Sequence, residues 1–193
     1  MQKNLTLLII LTISSIFLTI STLFSQTVQL PTGYGNATWG TSIDGVKSAI
    51  LGRLVFSDDE TIIISRDGNL EYTYGFFYTD PQKVERPANA QEAPNSILYY
   101  VAIRFPYIPI DQVRAKFEAQ YGAITIDNVS KNRGVIGWLT DETLALVYID
   151  EYEDKQYAAR ITYVSRNIIK QVNEYVSNVF NQTEIDVMKG LTP

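Results

Sequence analysis

The chain of 193 residues contains no cysteine and no histidine. Without these side chains, the chain cannot form a Ser-His-Asp triad, a Cys-His nucleophile, a His- or Cys-ligated zinc site or a covalent haem attachment. Disulfide bonds are excluded as well, so the fold is held together by packing. Carboxylate chemistry, Ser-Lys or Tyr chemistry and cation binding through oxygen ligands remain open, as does a function without catalysis.

Positive charge is scarce, with 16 Lys and Arg against 21 Asp and Glu and a net charge of −5. A nucleic-acid ligand requires a basic stripe that neutralises phosphates, and the sequence shows none. An anionic membrane surface is an equally poor partner. We therefore predict no nucleic-acid partner, and no motif predicts a cofactor or a metal site.

The longest apolar run lies at the start of the chain, where residues 1–25 read "MQKNLTLLIILTISSIFLTISTLFS". A basic start, an apolar stretch and a small residue before Gln26 are typical of a secretory signal peptide. The run from Leu5 to Phe24 is also long enough for a retained membrane anchor, which stays an alternative. The sequence thus predicts an exported protein, periplasmic or extracellular, with one domain over residues 26–193.

The first half of that domain, about residues 39–105, begins with a predicted helix that Ser42 caps and Gly52 ends. The strands "RLVFS" and "TIIIS" follow, and a tight Asp67-Gly68 turn leads into "LEYTYGFFY". Residues 79–96 contain three prolines and no apolar period, which predicts a long loop. The next strand, "ILYYVAIRF", is expected to place five side chains on one face: Ile97, Tyr99, Val101, Ile103 and Phe105.

The second half, about residues 106–165, repeats this pattern. A helix "PIDQVRAKFEAQYG" that ends at Gly122 precedes the strands "ITIDNV", "VIGWL", "LALVYID" and "YAARITYVS". Ser165 is then expected to cap a C-terminal amphipathic helix over residues 166–181. A short turn at 183–190 completes the chain.

Two pairs of short strings suggest an internal repeat. "SIDGVK" (42–47) matches "PIDQVR" (109–114) at an offset of 67, and "DETI" (59–62) matches "DETL" (141–144) at an offset of 82. We expect the DET strings at equivalent points of two related units. The predicted fold is therefore α+β, with two helix-plus-antiparallel-meander units packed together and a C-terminal helix.

Acidic residues cluster in three predicted turns, at 58–60, 141–142 and 150–154. One interpretation is a calcium site or a catalytic carboxylate pair, but no stretch has the spacing of a calcium-binding loop. The favoured interpretation is that these charges keep strand ends solvated and block edge-to-edge pairing. We predict no catalytic, cofactor-binding or metal-binding residue.

Tyrosine is frequent, with 13 copies, and alternation along "LEYTYGFFY" places aromatic rings on one face of a strand. Such a stripe either packs a helix against a sheet or forms a stacking surface for a ligand. The packing interpretation is favoured. The candidate binding surface under the alternative consists of Tyr72, Tyr74, Phe76, Tyr78 and Tyr99.

The stretch "WGTSIDGVKSAI" resembles the opening of exported bacterial proteins in which a W-G-x-S motif starts a helix above an antiparallel sheet. The helix-plus-meander repeat is similar in architecture to the β-lactamase-inhibitor-protein type and to small outer-membrane assembly lipoproteins. The chain lacks the disulfides of the former and the lipid-bearing cysteine of the latter. The resemblance implies protein–protein interaction in the cell envelope.

These observations predict an exported binding or structural module that acts through an envelope protein partner and has no catalytic activity. No membrane contact is expected unless residues 1–25 are retained. One alternative is a carboxylate-dependent hydrolase of envelope glycans, which requires two facing carboxyl groups. Another is a small-ligand carrier, which predicts an apolar cavity lined by members of the strands 70–78 and 97–105.

Overall fold

In a computed structural model of the chain, the structure describes residues 28–78 and 96–179. Within these ranges the helices are α1 (Ile43–Lys47), α2 (Ile110–Tyr121) and α3 (Arg166–Val179). The strands are β1 (Gly33–Tyr34), β2 (Ala37–Thr38), β3 (Arg53–Ser57), β4 (Ile62–Asp67), β5 (Leu70–Tyr78), β6 (Ser96–Pro109), β7 (Ile126–Ser130), β8 (Arg133–Leu139), β9 (Thr143–Tyr152) and β10 (Lys155–Ser165). The predicted leader, nearly all of the 79–96 loop and the 183–190 turn lie outside the described residues.

Strands β3 to β10 form one antiparallel sheet of eight strands in the order β3-β4-β5-β6-β10-β9-β8-β7. The prediction of helices with a large antiparallel sheet is confirmed. Each half of the chain contributes one helix followed by four consecutive strands. The halves meet by direct pairing of β6 with β10, where Ile103 faces Ile161 and Val101 faces Tyr163.

The two DET strings do not lie at equivalent points of this order, so that prediction is wrong. The first string precedes β4, the second strand of its meander, whereas the second string precedes β9, the third strand of its own. Any turn that enters a core strand from solvent favours acidic residues followed by a β-branched residue. This shared requirement accounts for the similarity of the strings.

The core lies between the sheet and the helices. A continuous row of side chains crosses six strands through the observed register, and each member is at most 2% exposed: Ile63, Tyr74, Val101, Tyr163, Ala145 and Trp138. Helix α1 covers this face with Ile43 and Val46, and α2 covers it with a buried stripe that includes Val113 and Tyr121.

Helix α1 is shorter than predicted. Ser42 caps it, since its hydroxyl accepts a hydrogen bond from the Gly45 N–H at 3.3 Å, but the helix ends at Lys47 rather than near Gly52. Gly52 has a φ of 73°, and a Cβ there would lie 2.4 Å from the carbonyl oxygen of Arg66. The glycine therefore allows the chain to enter β3 close against β4 and does not terminate the helix.

The predicted face of β6 is wrong at its start. Leu98 pairs with Phe76 and Tyr100 pairs with Gly75, so Tyr99 is an extra residue in a β-bulge. The bulge shifts the alternation by one residue, which places Leu98 in the core with 0% exposure. Ile97 and Tyr99 are half-buried.

Helices α2 and α3 follow the predictions more closely. Gly122 ends α2 with a φ of 88°, and its N–H donates to the carbonyl of Glu118 at 2.9 Å. The hydroxyl of Ser165 accepts from the N–H of Ile168 at 3.4 Å, and Ile168 is buried against the body of the domain. Among the described residues, no helix combines the length and the apolar character needed to cross a membrane.

One buried hydroxyl fastens the N-terminal segment to the sheet. Thr143 of β9 is fully buried, donates a hydrogen bond to the carbonyl of Pro31 at 2.8 Å and accepts one from the indole N–H of Trp39 at 2.9 Å. Thr162 of the adjacent strand β10 is 1% exposed, but its hydroxyl has no hydrogen-bond partner within the described part of the chain. The two threonines can therefore be compared by substitution, because both are buried but only the hydroxyl of Thr143 is hydrogen-bonded to described residues.

We expect Thr143→Val to lower the free energy of unfolding by about 1–3 kcal/mol, because it leaves the Trp39 N–H and the Pro31 carbonyl without a partner. Thr162→Val is expected to leave stability unchanged or to raise it by about 1 kcal/mol, since it removes an unpaired buried hydroxyl. Urea unfolding of both variants measures the difference. Equal effects of the two substitutions would contradict the bridging role of Thr143.

Candidate functional site

The predicted aromatic stripe belongs to the core. Tyr72, Tyr74 and Phe76 are 4%, 1% and 5% exposed, and the hydroxyl of Tyr74 accepts a hydrogen bond from the N–H of Leu51 at 3.2 Å. Tyr99 lies apart from them in the β6 bulge, and the side chain of Tyr78 is outside the described residues. These three rings pack the helices against the sheet and do not form an exposed stacking surface.

The acidic turn before β4 is built around Asp58. Its carboxylate accepts hydrogen bonds from the N–H groups of Glu60, Thr61 and Ile62 at 2.8–2.9 Å and from the hydroxyl of Thr61. Partial burial opposes ionisation, but these hydrogen bonds outweigh it and lower the pKa of Asp58 to about 2. Asp59 forms an ion pair with Lys47 at 2.9 Å. Both acids therefore organise the turn.

The carboxylates of the other acidic turns do not gather into a site either. Asp150 lies 3.4 Å from the guanidinium of Arg133, and Asp141 has no ion pair or hydrogen bond to its carboxylate within the described ranges. Among the described residues, no group of three or more acids is placed to hold a metal ion. Of three surface cavities, one is lined by a single carboxylate, Asp150, and the second also by one, Glu142. The third is lined by no carboxylate of the described residues.

Asp58→Asn is expected to lower the free energy of unfolding by about 1 kcal/mol at pH 6, a value reduced for the solvent exposure of the turn. The folded pKa lies below the unfolded value of about 4, so the stabilisation is present above pH 4 and is lost as the pH falls towards 2. The variant and the parent should therefore converge in urea unfolding at low pH. Asp141→Asn is the matched control and should match the parent at every pH.

A cavity of about 510 Å³ lies between α2 and the sheet. Its lining includes Leu70 of β5 with Ile103 and Phe105 of β6, which belong to the two strands that the small-ligand hypothesis names. Val113 and Phe117 of α2 line the same space. The cavity is located where the two halves of the sheet join.

Three tyrosines lie at this cavity. The hydroxyls of Tyr121 and Tyr163 are hydrogen-bonded to each other at 2.8 Å, and the ring of Tyr34 is 5.1 Å from that of Tyr163. Burial raises the pKa of Tyr163 strongly and raises that of Tyr34 to about 12, so both hydroxyls stay protonated at neutral pH. No local pattern in the sequence predicts this cluster, because Tyr34 lies in a segment without periodicity.

The mouth of the cavity is polar. Gln112, Lys116 and Gln120 are exposed and follow one another at intervals of four along α2, which places them on one side of the helix. Among the described residues, no Asp or Glu lines the cavity, and Lys116 is the single charged group at the opening.

The sheet face opposite the helices, here called the outer face, carries an apolar band. Helices α1 and α2 both pack on the opposite face. Half-buried aliphatic and aromatic side chains form the band: Ile62, Ile64, Tyr100, Leu144, Leu146 and Val164. Phe56 and Leu139 extend it towards the two edges of the sheet and are 50% and 39% exposed.

Beside the band, the observed register aligns an arginine row across neighbouring strands: Arg53, Arg66, Arg104 and Arg160, with Glu71 between the second and the third. Glu71 accepts from Arg66 at 2.6 Å, and the side chain of Arg104 is 72% exposed. The guanidinium of Arg160 lies 3.7 Å from the ring centre of Tyr148. The row is therefore a local excess of positive charge on an acidic chain.

No protein-family model, curated protein or solved structure matches this chain. The resemblances to exported bacterial proteins and to helix-plus-meander inhibitors accordingly stay predictions.

Proposed function

We propose that the chain is a non-enzymatic binding module of the cell envelope and that its outer face is the surface that binds a partner protein. The observation that supports this proposal is the apolar band on the outer face, with the arginine row along its side. The leader-like residues 1–25 support export, and the module would then meet its partner outside the cytoplasm.

The composition of the band is unusual for the second face of an antiparallel sheet. An antiparallel sheet with one covered face normally alternates apolar and polar residues, so its second face is polar. Here Ile64, Leu144 and Leu146 occupy positions on the second face where polar side chains are usual. Contiguous apolar surface with a polar rim is typical of protein interaction sites.

The arginine row indicates the chemistry of the partner. Four arginines and one glutamate give this strip a positive charge, whereas the whole chain has a net charge of −5. Opposite charges at the rim of an interface raise the association rate and select the partner. We therefore propose a partner surface with an apolar centre and an acidic rim, which disfavours a second copy of this chain because two arginine rows would repel each other.

The internal repeat is part of the same proposal. Each half consists of one helix and a four-stranded meander, and the strings "SIDGVK" and "PIDQVR" lie at the start of α1 and α2. The sheet order, which runs from β3 to β6 and then from β10 back to β7, supports two related units joined at equivalent strands.

We expect Leu146→Glu to reduce capture of the partner from an envelope fraction by at least tenfold, because a buried charge would replace the centre of the contact. Arg104→Glu should weaken capture and also reduce its dependence on salt concentration. Lys155→Glu, at the exposed start of β10, is the control and should capture normally. Quantitative mass spectrometry of proteins bound to each immobilised variant makes the measurement.

Three results would contradict the proposal. If Leu146→Glu captured the same proteins as the parent, the outer face would not be the interface. If instead it lowered the free energy of unfolding by more than about 3 kcal/mol, the band would be packed against another part of this chain. A dimer of the parent that Leu146→Glu converts to a monomer would identify a second copy as the occupant.

A further inference from the structure

The cavity between α2 and the sheet has the size and lining of a small-molecule site. Its volume of about 510 Å³ falls within the range of roughly 300–1,000 Å³ that is usual for ligand pockets. Ile103, Phe105 and Phe117 supply apolar surface on both sides. Sites of this kind combine apolar walls with a few polar groups that fix the orientation of the ligand.

The hydroxyls in the cavity have unused hydrogen-bonding capacity. Tyr121 and Tyr163 together carry two hydroxyl hydrogens, and their mutual hydrogen bond uses one of them. The hydroxyl of Tyr34 has no hydrogen-bond partner within the parts of the chain that the structure describes. A ligand that enters the cavity can therefore accept hydrogen bonds from these hydroxyls, whose oxygens can also accept.

The charge at the mouth selects the head group. Lys116 has no ion-pair partner among the described residues, and the side chains of Gln112 and Gln120 make no hydrogen bond there. Because no carboxylate lines the cavity, a cationic ligand would meet no opposite charge. An anionic group at the mouth would meet the Lys116 ammonium and the two amide N–H groups.

We infer that this cavity binds an anionic amphiphile, with the apolar body between α2 and the sheet and the anionic head beside Lys116. The inference does not depend on the outer face, since the cavity opens on the side of the sheet that carries the helices. A sugar or another ligand with many polar groups is disfavoured, because the apolar walls, which include Ile103, Phe105 and Phe117, would leave many of those groups without hydrogen bonds.

The test compares three probes of equal chain length with the full-length protein: dodecanoate, dodecanol and dodecylamine, each below its critical micelle concentration. Titration calorimetry measures affinity and stoichiometry. Trp138 fluorescence provides a second signal, since the Trp138 ring is 5.8 Å from that of Phe117, which lines the cavity. Dodecanoate should bind at one site and at least tenfold more tightly than dodecylamine, with dodecanol between them.

Two substitutions locate the site. Lys116→Gln should reduce the affinity for dodecanoate to that for dodecanol and leave dodecanol binding unchanged. Because Lys116 is exposed, we expect this variant to fold like the parent. Leu70→Trp should block all three probes by filling the cavity. Arg104→Gln is the control for binding at the arginine row of the outer face and should leave every affinity unchanged.

Equal affinities for dodecanoate and dodecylamine would overturn the inference, as would an absence of binding by the parent protein. It would also fail if Lys116→Gln bound dodecanoate as tightly as the parent, or if Arg104→Gln rather than Lys116→Gln abolished binding. The partner-capture result for Leu146→Glu is unaffected by each of these outcomes, so the two proposals can fail separately.

Discussion

The pairing of β6 with β10 is the contact on which the rest of this structure depends. It joins two four-stranded meanders, one from each half of the chain, into a single sheet of eight strands. Because Ile161 pairs with Ile103 and Tyr163 with Val101 across this junction, the core residues of both halves face the same side, and α1 and α2 both cover that side. The cavity forms at the junction, between α2 and side chains from β5, β6 and β10. Neither α1 nor α2 covers the opposite side, so the outer face follows from the same pairing.

Both central strands carry a bulge, and these bulges decide which residues reach each face. In β10 the register shifts between Ala158 and Arg160, so that Ala158 is buried in the core while Arg160 lies over Tyr148 on the outer face. With regular alternation, two residues at this spacing would share a face. The bulge therefore assigns Arg160 to the arginine row. In β6 the bulge at Tyr99 has the equivalent effect, because it keeps both Leu98 and Val101 in the core.

Local patterns in the sequence predicted the regular elements well. Alternation along "LEYTYGFFY" identified the buried face of β5, and helical spacing in "PIDQVRAKFEAQYG" identified the buried stripe of α2. The bulges could not be predicted, because an inserted residue leaves composition and turn signals unchanged and depends on the partner strand. The arginine row was missed for a related reason: its members are separated by many residues and align only through the register. Tyr34 reaches the cavity through contacts that no local pattern encodes.

The two DET strings show how far an identical tripeptide can diverge in its role. Thr61 donates both its hydroxyl and its N–H back to Asp58, three positions earlier, and so stabilises its own turn. Thr143 instead bonds to Pro31 and Trp39, which are 112 and 104 positions away in the chain. The difference arises because β4 is next to the edge strand, where turn residues face water, whereas β9 lies inside the sheet beneath the N-terminal segment. A short motif therefore fixes the local turn, and its place in the sheet fixes whether its side chains act locally or hold distant parts of the chain together.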